Sequence, residues 1–151
     1  MRIVAVMVAA AVLAGLSSAI SDAASAGTAT SAWVVRANST CRAMKRKYKP
    51  ETAWIAKIGQ HPTRAQMRRM LNILLSAERD LYQTLKAIPG RRPTGADRAL
   101  AFAAIDIEEL ARAIAAFDRG NMRQFLRLWK VWSNDDRANR LFRAIGATDC
   151  A

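Results

Sequence analysis

Residues 94–120, TGADRALAFAAIDIEELARAIAAFDRG, are the stretch that decides the fold. Apolar residues recur in it at every third or fourth position and form one continuous helical stripe, made of Leu100, Ala103, Ala104, Ile107, Leu110, Ala111, Ile114 and Phe117. The pattern predicts a helix that starts at Thr94 or Gly95 and ends at Gly120. Its alanines would allow a neighbouring helix to approach closely.

Three further stretches carry the same periodicity, at about residues 33–48, 64–88 and 122–145. Residues 51–58 are predicted to add a short turn of helix. Thr63 and Asn121 are good N-caps for the helices that follow them, and Gly146 is a good terminator. No segment alternates with period two, so we expect no strands. Short loops between amphipathic helices favour an all-α, antiparallel four-helix bundle.

The apolar face of the predicted fourth helix changes along its length. Up to Trp132 it centres on Trp129, and beyond Asp136 it moves to Ala138, Leu141, Phe142 and Ile145. Either the helix bends near residues 133–134, or it is wedged between partners on two sides. We expect a continuous helix.

The chain has two cysteines, Cys41 in the predicted first helix and Cys150 just after the fourth. In an up-down-up-down bundle the fourth helix ends where the first begins, so the pair is predicted to form one disulfide. The chain-entropy relation gives about 4–5 kcal/mol as an upper figure for a loop of this length. Two free thiols are the alternative.

The N-terminus has the order of a secretory signal peptide: Arg2, then an apolar run, then small residues. Cleavage after Ala26 would remove residues 1–26 and leave a flexible lead-in at 27–32 and one helical domain at 33–151. The alternative is an uncleaved membrane anchor, because residues 3–20 comprise 18 positions, near the lower limit for a membrane span. Either way, we expect a secreted or extracytoplasmic protein associated with the cell envelope.

The charge balance is strongly basic. The chain has 24 Lys and Arg residues against 12 Asp and Glu, a net charge of +12. Outside a cell, the anionic partners for such a surface are wall polymers, lipid head groups and released nucleic acid. A high arginine content can also reflect the base composition of the genome alone.

Two basic regions are candidates for contact with an anion. The first contains Arg42, Lys45, Arg46, Lys47 and Lys49, and the second places Arg123, Arg127, Lys130 and Arg137 within one helical arc. The second lies beside Phe125, Trp129 and Trp132, a combination that can lie on an anionic membrane. Stacking of the rings on single-stranded nucleic acid is an option that we disfavour. We favour an interpretation in which the rings belong to the core and the cations form a solvated face.

Glu78 falls in the middle of the apolar arc of the predicted second helix, and a buried carboxylate must be paired or protonated. Arg140, on the buried arc of the fourth helix, is a candidate partner. Glu78 could be a ligand-binding or proton-transfer group. We favour a structural ion pair with Arg140 that fixes the register of the bundle.

The sequence offers little for catalysis. His61 is the only histidine, and Glu-x-x-His, a Gly-rich phosphate loop and a Gly-x-Ser-x-Gly elbow do not occur. Glu108 lies four residues before Arg112 and is predicted to form a solvated pair with it. We therefore expect no enzyme activity, no metal and no cofactor.

Three segments resemble a known group of proteins: residues 37–42, ANSTCR; residues 85–89, LKAIP; and residues 139–150, NRLFRAIGATDC. They resemble the small exported helical proteins common in high-GC actinobacteria, which have one cysteine in the first helix and one at the C-terminus. The resemblance implies a fold and a compartment and carries no activity. This chain departs from that pattern in Trp129, Trp132 and residues 133–136, where small apolar residues would be expected.

The sequence as a whole predicts an exported, non-catalytic binding or structural module of the cell envelope. Its basic surface would contact anionic wall polymer or lipid head groups, and no protein partner can be named. The alternative is a small-ligand-binding or hydrolytic helical bundle centred on Glu78.

Overall fold

The structure is a computed structural model that describes residues 31–59 and 61–151, so the predicted signal peptide lies outside the described residues. Regular structure within these ranges is helical throughout, in the order α1 Ala32–Lys47, α2 Lys49–Lys57, α3 Arg64–Lys86, α4 Ala96–Asp118, α5 Met122–Asn134, α6 Arg137–Ala144 and a 3-10 helix at Thr148–Cys150. The prediction of an all-helical protein is confirmed for this part of the chain. None of these helices combines the length and apolarity that a membrane-spanning segment needs.

The starts of α3 and α5 are fixed by side chains that satisfy free backbone N–H groups. Thr63 accepts a hydrogen bond from the N–H of Gln66, whose side chain accepts one from the N–H of Thr63, and this capping box starts α3. Asn121 accepts a bond from the N–H of Gln124 at the start of α5. Both predicted caps are therefore confirmed.

Helix α4 lies at the centre of the molecule and packs against α3, α5 and α6. Its predicted stripe faces two groups of buried side chains. The first core contains Leu100 of α4 with Trp33, Val34, Leu85, Ile88, Phe142 and neighbouring alanines. The second core contains Leu110, Ile114 and Phe117 of α4 with Met70, Leu71 and Phe125. Each fully buried leucine or phenylalanine contributes about 1.5–3 kcal/mol to folding.

The C-terminal tail returns to α1, where Cys41 and Cys150 form a disulfide with 5.1 Å between their Cα atoms. Asn38 holds the same tail, because its amide donates to the carbonyl of Gly146 at 3.0 Å and accepts from the N–H of Asp149 at 2.9 Å. Gly146 adopts a φ of +85°, which favours glycine at the turn after α6. The predicted cysteine pairing is confirmed.

The expectation of a continuous fourth helix is wrong. The predicted helix at 122–145 is divided into α5 and α6, and Asp135 between them has extended backbone with a ψ of 120°. The Asp135 carboxylate accepts hydrogen bonds from both the backbone N–H and the guanidinium of Arg137. Short polar side chains offer the backbone such alternatives to the helical hydrogen-bonding pattern, and here they end α5 where the apolar face changes.

Candidate functional site

The first basic region is partly neutralised by carboxylates. Arg42 forms an ion pair with Asp149, and Lys47 forms one with Asp80. The hydrogen bond from Lys47, together with one from Tyr48, lowers the pKa of Asp80. The remaining cations of this region are exposed and form no ion pair within the described residues; they are Lys45, Arg46 and Lys49.

The second basic region lies on the solvent side of α5. Arg123, Arg127 and Lys130, called here the basic α5 surface, are exposed, and none is ion-paired within residues 31–59 and 61–151. A shallow groove of about 340 Å³ is lined by Arg123 and Arg127 together with Asn121 and Gln124. Two arginines thus line one groove, and the guanidinium group is well suited to phosphate and carboxylate.

The aromatic side chains of α5 point the other way. Phe125 is buried against Phe117 with 5.3 Å between ring centroids, and Trp129 and Trp132 continue the row as half-buried rings packed on the second core. The interpretation that assigned these rings to the core holds. The apolar side chains exposed on α5 are instead Met122, Leu126 and Val131, at 44%, 37% and 49%.

The sequence placed Arg137 in the second basic region. In the structure it does not belong to the basic α5 surface. The break after Asn134 places it at the start of α6, where its guanidinium donates to Asp135 at 2.8 and 2.9 Å and lies 4.6 Å from the ring centre of Phe102. Its charge therefore interacts with groups of the protein itself, Asp135 and Phe102.

The predicted ion pair between Glu78 and Arg140 is not formed. Arg140 is exposed and pairs with Asp136, four residues earlier, at 3.2 Å. The physical reason is again the break, because a helical projection carried through residues 133–136 gives the wrong orientation for α6. Burial raises the pKa of Glu78, and the nearby charge of Asp106 raises it further.

Helix α4 meets the break at a group of carboxylates whose approach to Asp135 the sequence did not indicate. One oxygen from each of Asp106, Glu109 and Asp135 lies within 4.8 Å of the others. Asp106 Oδ1 and Glu109 Oε2 are buried without a hydrogen-bond partner in the described residues. The ion pair predicted between Glu108 and Arg112 is replaced by a 3.9 Å contact between Arg112 and Glu109.

Such spacing could in principle suit a cation, but both oxygens of Asp135 already accept hydrogen bonds from Arg137. We therefore describe Asp106, Glu109, Asp135 and Arg137 as a mixed charge cluster, the break cluster. Burial raises the pKa of Asp106 to about 6, with smaller contributions from the charges of Asp135 and Glu109. The hydrogen bonds from Arg137 lower the pKa of Asp135.

A larger open groove of about 520 Å³ runs between α3 and the junction of α1 with α2. Its polar lining includes Tyr48, Glu51, Arg68, Arg69, Asn72 and Ser76. The guanidinium of Arg69 lies over the ring of Trp54 at 4.1 Å, so that aromatic face is covered. Glu78 lines neither of the two grooves.

Comparison with known proteins adds no relative: no family model, no curated protein and no solved structure matches this chain. The arrangement of the site therefore has to be interpreted from its own chemistry.

Proposed function

We propose that this protein is an exported, non-catalytic binding module of the cell envelope, whose basic α5 surface contacts the phosphate groups of anionic wall polymer or lipid head groups. The observation that carries the proposal is that Arg123, Arg127 and Lys130 are exposed and form no ion pair within the described residues, and that Arg123 and Arg127 line a groove. In the first basic region, by contrast, two of the five cations are already bound to carboxylates.

The compartment is part of the proposal. The disulfide between Cys41 and Cys150 is compatible with an extracytoplasmic location, because such bonds persist in oxidising surroundings. The resemblance to exported actinobacterial proteins and the signal-like order of residues 1–26 support the same location. We propose cleavage near Ala26, with a retained anchor as the alternative.

We further propose an antiparallel four-helix arrangement, in which α5 and α6 together take the fourth position. The start of α1 bonds to the segment after α3 through Arg36, whereas its end reaches Asp80 through Lys47. Arg64 at the start of α3 donates to the carbonyl of Phe117 at the end of α4. Contacts of this kind are expected when neighbouring helices run in opposite directions.

A ligand-binding or hydrolytic role centred on Glu78 has less support. A catalytic carboxylate must reach a substrate, and Glu78 is half-buried near Asp106 and lines neither groove. Its raised pKa is explained by burial and by the charge of Asp106.

The test is sedimentation of the protein with vesicles of phosphatidylglycerol and with vesicles of phosphatidylcholine, at low and high salt. Binding to inorganic polyphosphate is measured in parallel and represents an anionic wall polymer. We expect binding to the anionic vesicles or to the polyphosphate that weakens with salt, because screening shortens from about 30 Å at 0.01 M to about 3 Å at 1 M. Binding to both vesicle types alike would instead indicate apolar attachment through residues 3–20.

The variant that tests the surface replaces Arg123, Arg127 and Lys130 by Gln. A cation near an anionic membrane contributes about 1 kcal/mol, so the triple variant should bind at least about tenfold less tightly. The matched control replaces Arg79, Arg91 and Arg143, which are exposed and lie outside both basic regions. If both variants lost the same amount of binding affinity, net charge alone would explain the effect, and the proposal for α5 would be refuted.

A further inference from the structure

The break between α5 and α6 joins two parts of the molecule that are packed differently. Helix α5 packs its aromatic rings on the second core, whereas α6 contributes Ala138 and Phe142 to the first core. The break cluster lies at the junction, with Asp135 in the break and Asp106 and Glu109 on α4. Any change in the break cluster therefore acts on the connection between the two cores.

The charges at this junction do not balance. Arg137 is the cation bonded to Asp135. Arg112 reaches Glu109 only at 3.9 Å and is largely exposed, and Arg140 acts on Asp135 from a distance. Asp106 has no ion pair or hydrogen bond within the described part of the chain, and one of its oxygens is buried.

Charged groups act on Asp106 from the break, from α4 itself and from α6, and Asp106 acts on one in α3. Asp135 faces it from the break, Glu109 from its own helix and Arg137 from α6, and Asp106 in turn acts on Glu78 of α3. Three of these four groups are carboxylates. An ionised Asp106 would be repelled by them, whereas a protonated Asp106 could donate its O–H to a neighbouring carboxylate oxygen.

We propose that Asp106 is the proton-sensing group of a latch at the break. When protonated, it bridges α4 to the segment between α5 and α6. When ionised, it repels the carboxylates around it and loosens that segment. The inference goes beyond the proposed function, since it concerns how α5 is held and does not require that α5 binds an anion.

The charge states of the neighbours place the change in mildly acidic conditions. The pKa of Asp106 is raised to about 6, chiefly by burial, while that of Asp135 is lowered by Arg137. Asp135 therefore stays ionised while Asp106 changes charge, and it remains an acceptor for the Asp106 proton. The latch is closed well below pH 6 and open well above it.

The disulfide decides which side of the break responds. The tail after α6 is fixed to α1 by Cys150 and by Asn38, so α6 is held at its far end. Helix α5 has no covalent link of this kind beyond the chain itself. Loosening should therefore appear in the last turn of α5 and in residues 133–136, next to Trp132.

Hydrogen exchange of the protein, corrected for the pH dependence of chemical exchange, tests the proposal between pH 4.5 and 8. Amides of residues 131–137 should lose protection by at least roughly tenfold across this range, with a midpoint near 6. The raised pKa of Asp106, from 3.8 to about 6, allows a change of this size, because each unit of pKa difference corresponds to about a tenfold change. Intrinsic tryptophan fluorescence should change with the same midpoint.

Replacing Asp106 by Asn (D106N) should abolish the midpoint and keep residues 131–137 protected at pH 8, because the carboxamide stays neutral. The matched control is E108Q, an exposed carboxylate on the same helix, which should keep the wild-type profile. A wild type without a transition between pH 5 and 7, or a transition that persists in D106N, would overturn the latch. The wild-type profile decides the question by itself if D106N does not fold.

Discussion

The tail end of the molecule and the break between α5 and α6 both attach a short C-terminal element to a longer helix, but by different interactions. The tail, with its 3-10 helix, is attached to α1, and the break and α6 are attached to α4. At the tail the polar groups are satisfied, with Asn38 bonded to two backbone groups and Arg42 paired with Asp149, and a disulfide closes the contact. At the break, two buried carboxylate oxygens have no donor in the described residues. The first arrangement is closed by a covalent bond and by satisfied hydrogen bonds, whereas the second is the proposed latch that depends on a proton.

The largest expected effect comes from opening the tail. Replacing Cys41 and Cys150 by Ser removes a crosslink between residues separated by 109 positions. The free energy of unfolding should fall by about 4 kcal/mol, slightly below the chain-entropy figure of about 4–5 kcal/mol. Denaturant unfolding measures it, and the same loss should follow from adding a reductant to the wild type. A change below about 1 kcal/mol would mean that Asn38 and the packing hold the tail without the bond.

The next effect compares the two cores through one chemical change. Leu85 of the first core and Leu110 of the second are both buried, at 1% and 0% exposure. Either Leu→Ala substitution should destabilise the protein by about 3 kcal/mol, the middle of the range for buried leucines. Hydrogen exchange should locate the damage in the first core for L85A and around α5 for L110A. If hydrogen exchange increased in the same residues of both variants, the two cores would open as one unit, and the distinction between them would be wrong.

Much of the helical framework, including the attachment of the tail, could be predicted from the sequence. The stripe of α4, the capping residue Thr63 and the return of Cys150 to Cys41 depend on local periodicity and on the order of the helices, which a sequence carries directly. Short connections leave few ways to arrange such helices. The prediction of the disulfide therefore needed no information about side-chain orientation.

The break could not be predicted in the same way. Residues 133–136 and the shift of the apolar face both indicated a change, yet whether a helix bends depends on what its polar side chains contact. Here Arg137 bonds Asp135 and stacks on Phe102 of a different helix. Glu78 was recognised as unusual, but the position of Asp106 beside it was not foreseen. A helical projection gives the direction of a residue around its own helix axis. It does not give the position of that residue along the axis relative to residues of a neighbouring helix.

The smallest expected effect is the pH dependence of stability. Asp106 has an ordinary pKa of 3.8 and a pKa of about 6 in the folded protein, so the folded state binds this proton more tightly. Its stabilising contribution is complete below pH 3.8 and is lost as the pH rises through 6. Asp80 and Asp135 act in the opposite direction, since their pKa values are lowered and their contributions are lost as the pH falls below 3.8.

Stability should therefore reach its maximum between about pH 4 and 5 and fall towards pH 7.5. Asp106 is only half-buried, so screening by solvent reduces the change to about 1 kcal/mol. D106N should flatten the decline, and at pH 7.5 it should be more stable than the wild type, which is unusual for a substitution at a partly buried position. Denaturant unfolding at pH 4.5, 6 and 7.5 measures both results. If the protein lacking the disulfide shows the same decline, the proton acts at the break and not at the tail. A decline that disappears with the disulfide would show that the two regions are coupled.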